Sequence, residues 1–86
     1  MQTSFLLLAQ YSGLAVIPVD TVCKDYFRHL TPENFVRKID AGKINIPLLR
    51  IEGSEKAAKG VHVEDLAHYL DERRAAALRE AKALAS

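Results

Sequence analysis

The residues with the most chemistry to offer lie between Thr31 and Lys59. Glu33, Asn34 and Arg37 share one segment of helical spacing. Arg pairs bidentately with guanine, Asn with adenine, and Glu accepts from the cytosine amino group. Thr31 and Lys38 flank them and suit phosphate oxygens better than base edges. Arg50, Ser54, Lys56 and Lys59 follow in a hairpin-like stretch and add phosphate-binding side chains. With Phe35 at the origin and about 100° per residue, Phe35, Val36 and Ile39 point towards a common direction near 45°. Arg37 falls at about 200° on the same wheel, almost opposite, with Glu33 and Asn34 beside it. A helix face that is merely solvated shows the same pattern, and the spacing alone does not separate the two.

Catalytic chemistry is poorly supplied. Cys23, His29, His62 and His68 are the nucleophile or imidazole candidates besides hydroxyls, and their placement suggests no triad. A lone Cys in a helix reads as a small packed hydrophobe. Asp65, His68 and Glu72 share a helical face, but a metal site needs ligands from a second element, and a solvated polar face is the simpler reading. No glycine-rich phosphate loop occurs; the four Gly residues are scattered through turns.

The chain has 86 residues, enough for one domain spanning 1–86 and too few for two. Its 49% hydrophobic and 27% charged residues are those of a globular protein. A domain of this size cannot spare core residues for a spacious catalytic cavity, which excludes large multi-substrate enzymes. The formal net charge is only +1, so local clustering must decide whether a polyanion is a partner. Eight basic and five acidic residues lie between Lys24 and Lys59, against four basic and five acidic from Val63 onward. Positive charge is therefore concentrated where the candidate base-reading residues are, and double-stranded DNA is the partner it suits. The single cysteine rules out an internal disulfide, and no apolar run is long enough to span a bilayer. With no basic residue before Lys24 to start a secretory signal, a cytoplasmic protein is expected, with no membrane contact.

The elements that must position these residues can be read in order. Thr3 can cap a first helix through Phe5, Leu6, Leu7, Leu8 and Tyr11 that ends near Ser12-Gly13. Its apolar residues cover most of the circumference, which predicts extensive burial. Ala15 to Val19 is a brief extended segment that Pro18 confines to a sheet edge. Asp20 is the expected cap of a helix over about Thr21 to Arg28, with Val22, Tyr26 and Phe27 inward. After a short turn, Thr31 caps, Pro32 takes the first helical position and Glu33 meets the positive end of the dipole. Gly42 closes that helix in a left-handed conformation. Ile46 to Ile51 reads as a strand, residues 52–56 as a turn and Gly60 to His62 as the return strand. A long helix follows from Val63 to about Ala83.

The fold class expected is α+β: a small winged helix-turn-helix domain with an N-terminal helix, a β-hairpin wing and a long C-terminal helix. In that arrangement the helix from Pro32 to Ala41 enters a major groove and the hairpin holds the backbone. About 21 residues of final helix span some 32 Å, more than this body can cover. Self-association through its Ala75–Ala85 half is the functional reading, a homodimer on two half-sites being its use; a frayed, Ala-rich surface helix is the alternative.

Several segments also resemble a known family. Phe5-Leu6-Leu7-Leu8-Ala9-Gln10-Tyr11, Ile17-Pro18-Val19 and Val22-Cys23-Lys24-Asp25-Tyr26-Phe27 are similar to the start of the pyocin activator family, PrtN. Arg50-Ile51-Glu52, Lys59-Gly60-Val61-His62-Val63 and Asp65-Leu66-Ala67-His68-Tyr69-Leu70-Asp71 continue the likeness, which runs in order from about Thr3 to Arg74. A departure falls at Ser54-Glu55-Lys56-Ala57-Ala58, where Glu replaces an expected Gln and adds a negative charge. The resemblance implies a transcriptional activator of phage-tail-like bacteriocin or prophage genes. It implies DNA and RNA polymerase as partners, no cofactor and no catalytic residues. Two other roles fit the residues themselves: an excisionase-like architectural protein that bends DNA, and a protein-interaction adaptor without DNA contact.

Overall fold

The computed structural model describes residues 2–53 and 58–85. Along the chain come α1 (Thr3–Gln10), β1 (Val16–Pro18), α2 (Val19–Tyr26), α3 (Pro32–Asp40), β2 (Leu49–Arg50), β3 (Lys59–His62) and α4 (Val63–Ala85). The strands form an antiparallel sheet in the order β1-β3-β2. Among the described residues these make a small α+β domain of four helices and a three-stranded sheet, the last helix long.

The strand β3 sits in the centre. Val16 to Pro18 pair with His62 to Gly60 on one side, and Leu49 and Arg50 pair with Gly60 and Lys59 on the other. Pro18 lies at the sheet edge, as its missing N–H requires. The strand expected over Ile46–Ile51 is reduced to Leu49–Arg50. Ile44 and Ile46 are instead drawn into the core, Ile46 donates its N–H to the Ile44 carbonyl at 3.0 Å, and Pro47 has no N–H for a ladder. The turn expected over 52–56 falls partly outside the described residues.

The helix α1 is less covered than its composition predicts. Leu7 and Tyr11 are buried, whereas Phe5 is 65% and Leu6 51% exposed. The helix meets the body along one side, chiefly α4, with Leu8 half-buried against the core, while Phe5 and Leu6 face solvent. Thr3 does not cap it. Gln2 holds that position without a side-chain bond, and the Thr3 hydroxyl donates to the Asp71 carboxylate on α4. Asp20 is not a cap either. Because Val19 is pulled into the core, α2 starts directly after Pro18 and leaves Asp20 inside its first turn, where its charge still favours the dipole. Tyr11 Oη donates to Asp25 at 2.7 Å and ties α1 to α2. Burial first, and then that carboxylate, hold the phenol well above its usual pKa.

The pair α2–α3 is locked through aromatic rings and a thiol. Phe27 lies 4.6 Å from Phe35 and 5.7 Å from Tyr69 between ring centroids, which joins α3 to α4 through the intervening turn. Cys23 Sγ donates to the carbonyls of Leu30 at 3.0 Å and Phe27 at 3.4 Å, and so pins the turn from the inside. It is the packed residue its context predicts, and burial pushes the thiol pKa up. The α4 helix buries Val63, Leu66 and Ala67 in its first half. Ala76 is its last half-buried residue, and from Ala77 to Ala85 the side chains are exposed, Leu78 55% and Leu84 88%.

Candidate nucleic-acid interface

The helix α3 is defined at both ends by local chemistry. Thr31 is the N-cap and its hydroxyl accepts from the Asn34 N–H at 3.2 Å. Pro32 takes the first helical position. At the other end Gly42 adopts φ +75°, donates to the Ile39 carbonyl at 3.0 Å, and lets Lys43 donate to the Lys38 carbonyl at 2.9 Å. That pair of bonds is the Schellman closure, and a residue with a Cβ is strained at such a φ.

Between these caps only Phe35 is fully buried, while Val36 and Ile39 are half-buried. Glu33, Asn34, Arg37 and Lys38 are all exposed, so the helix turns the expected face outward. Arg37 Nη1 donates to Asn34 Oδ1 at 3.3 Å, which steadies the guanidinium along the N-terminal half of the helix. The Thr31 hydroxyl spends its oxygen on the cap, but its own proton remains available to a phosphate.

Two hollows flank Arg37. One, of about 640 Å³, is lined by Val19, Asp20, Pro32, Glu33, Val36, Arg37 and Lys59. It brings the α3 candidates Glu33 and Arg37 together with Lys59 of β3. The other, of about 350 Å³, is lined by Leu30, Asn34, Arg37, Lys38, Ala41 and Lys43. Arg50 is the direct cross-strand partner of Lys59, so their side chains share one sheet face. Two cations opposite each other in a ladder repel. Among the described residues none of Arg37, Lys38, Lys43, Arg50 and Lys59 is in an ion pair. Thr31 lines neither hollow, and Ser54 and Lys56 lie outside the described residues.

Lys43 is a further cation beside the exposed face of α3, one that helical periodicity does not point to. Its signal was present in Gly42: a left-handed closure folds the next residue back against the last helical turn. The imidazoles have other surroundings. His62 Nδ1 accepts from the Glu64 N–H at 3.0 Å at the start of α4, His68 Nε2 stands 3.0 Å from Glu72, and His29 lies beside the Phe27 ring.

A model of the pyocin activator protein PrtN family matches residues 3–77. The chain belongs to that family. Pyocin activators of the PrtN family are transcriptional activators and not enzymes, and membership implies a part in switching on pyocin genes. The matched span runs from the start of α1 into α4 and contains all of α3, β2 and β3. No curated protein and no solved structure matches the chain. Among the described residues, no helix is long and apolar enough to cross a membrane.

Proposed function

We propose that this pyocin activator family member is a cytoplasmic, sequence-specific DNA-binding protein built as a single winged helix-turn-helix domain. In this reading α2 and α3 are the helix-turn-helix and the β2–β3 hairpin is the wing. Arg37, Asn34 and Glu33 read base edges in the major groove. Thr31, Lys38, Arg50, Lys59 and, between β2 and β3 in the sequence, Ser54 and Lys56 hold the backbone. One observation carries the reading: Arg37 on the exposed face of α3 and Lys59 on the neighbouring strand line the same hollow, with Arg50 beside Lys59 in register. A helix face that was only solvated would not require cations from a second element at its side.

Activation adds a contact with RNA polymerase. A homodimer completes the reading. Ala77, Ala81 and Leu84 continue the helical direction of Val63, Leu66 and Leu70 beyond the end of the body, which supports pairing of two tails. Family membership favours this activator role over DNA bending at an attachment site.

In vitro selection from a random duplex pool tests the core of the proposal. The wild-type protein is expected to converge on one site. Arg37→Ala should lose about 1–3 kcal/mol of discrimination at one base pair, because one bidentate contact disappears. Unchanged selectivity in that variant would remove α3 from the reading role, and no enrichment by the wild type would remove DNA binding altogether.

A second variant separates function from fold. Arg50→Glu replaces a repulsive cross-strand pair with an attractive one and should raise stability by about 0.2–1 kcal/mol. It should nevertheless weaken binding to the selected site. Urea titration and fluorescence anisotropy read the two effects, and a variant that gained stability with full affinity would show that Arg50 does not face the duplex.

A further inference from the structure

We infer that a second cationic cleft, between the α3–β2 connection and α4, holds the phosphate strand on the side of α3 away from the wing. The inference rests on the DNA-binding reading above and extends its footprint. The cleft, about 240 Å³, has Lys43 and Asn45 on one side and Tyr69, Arg73 and Arg79 on the other. Glu72 also lines it, but its carboxylate oxygen lies 3.0 Å from His68 Nε2 and is engaged there. Among the described residues none of Lys43, Arg73 and Arg79 is in an ion pair.

The geometry of a duplex gives the cleft its role. A helix in a major groove about 12 Å wide has a phosphate strand on each side. Lys59 and Arg50 stand on one side of α3. Lys43 is shared between the hollow that holds Asn34, Arg37 and Lys38 and this cleft, and so carries positive charge without a break from the reading helix to α4. Asn45 adds an amide that can donate to phosphate oxygen, and Arg73 and Arg79 add planar forks that match it. One long face of α4 is thereby a backbone-binding rail. Arg79 falls about 140–160° from Ala77, Ala81 and Leu84 on the helical wheel, whereas Arg73 stands one turn before Ala77, so a paired tail leaves the Arg79 end of the rail open and borders it at Arg73.

The test uses the in vitro selected site centred in a labelled duplex of about 40 base pairs, with anisotropy followed from about 50 to 200 mM salt. Each phosphate contact contributes about 0.9 to the slope of log affinity against log salt. R73A/R79A should make the slope shallower by about 1.8, so that the affinity lost over that fourfold salt range shrinks about twelvefold. Its base preference should be that of the wild type, and R73K/R79K should restore the slope. K43A alone should shorten the slope by about 0.9 and serves as the measure if thermal melts show the double variant unfolded. A wild-type slope in R73A/R79A and K43A, while K59A and R37A weaken binding, overturns the cleft and leaves the wing-and-helix reading intact. Wild-type behaviour in all of these variants would overturn both.

Discussion

Phe35→Ala is expected to lower the unfolding free energy by about 3–5 kcal/mol. The side chain is 0% exposed and is the only fully buried residue of α3. Its ring meets Phe27 at 4.6 Å and a 40° tilt, an arrangement that contributes beyond simple burial. Phe27 in turn reaches Tyr69 on α4, so the cavity would open where three elements join. At about 0.05–0.15 kcal/mol per residue, a chain of this length has a total stability near 4–13 kcal/mol. The substitution therefore removes a large share of it. Urea denaturation of the wild type and the variant measures the loss. Val36 and Ile39 are only half-buried, so they cannot hold α3 in place alone. A loss below about 1 kcal/mol would mean that the ring is not the anchor of this helix.

Gly60→Ala comes next, at about 1–3 kcal/mol, through a different mechanism. A Cβ at Gly60 would lie 2.7 Å from Val16 Cγ1 and 2.8 Å from the Ile17 carbonyl oxygen. The first clash can be relieved by turning a side chain. The second cannot, because Ile17 is paired with Val61 in the β1–β3 ladder. The strands must separate, and Gly60 is also the partner of Leu49, next to the Arg50–Lys59 pair. DNA affinity should fall together with stability. Val16→Ala in the Gly60→Ala background removes only the side-chain clash and should recover only part of the loss. Full recovery would show that the carbonyl oxygen is not the obstacle.

These two residues mark a division between what was legible in the chain and what was not. Phe35 was recognisable as a core residue because Val36 and Ile39 share its helical face and Arg37 opposes it. Gly60 read only as a turn-adjacent strand residue, since the atoms that forbid its Cβ come from Val16 and Ile17, more than forty positions earlier. The candidate interface divides in the same way. The outward face of α3 followed from helical periodicity. The position of Lys59 beside Arg37, and of Lys43 between two hollows, depended on how the sheet and α4 pack around that helix.

The amino-acid sequence by itself determined the start and stop of α3, the packed role of Cys23, the edge position of Pro18 and the length of α4. Each depends on hydrogen bonds, dihedral limits or periodicities that act over a few residues. Only the tertiary structure decided that Val19 rather than Thr21 begins α2, that Phe5 and Leu6 stay in solvent while Leu7 and Tyr11 do not, and that β3 is the middle strand. An apolar pattern records which side chains gain from being covered. What covers them is set by surfaces brought together from distant parts of the chain, and a small body has too little surface to cover them all.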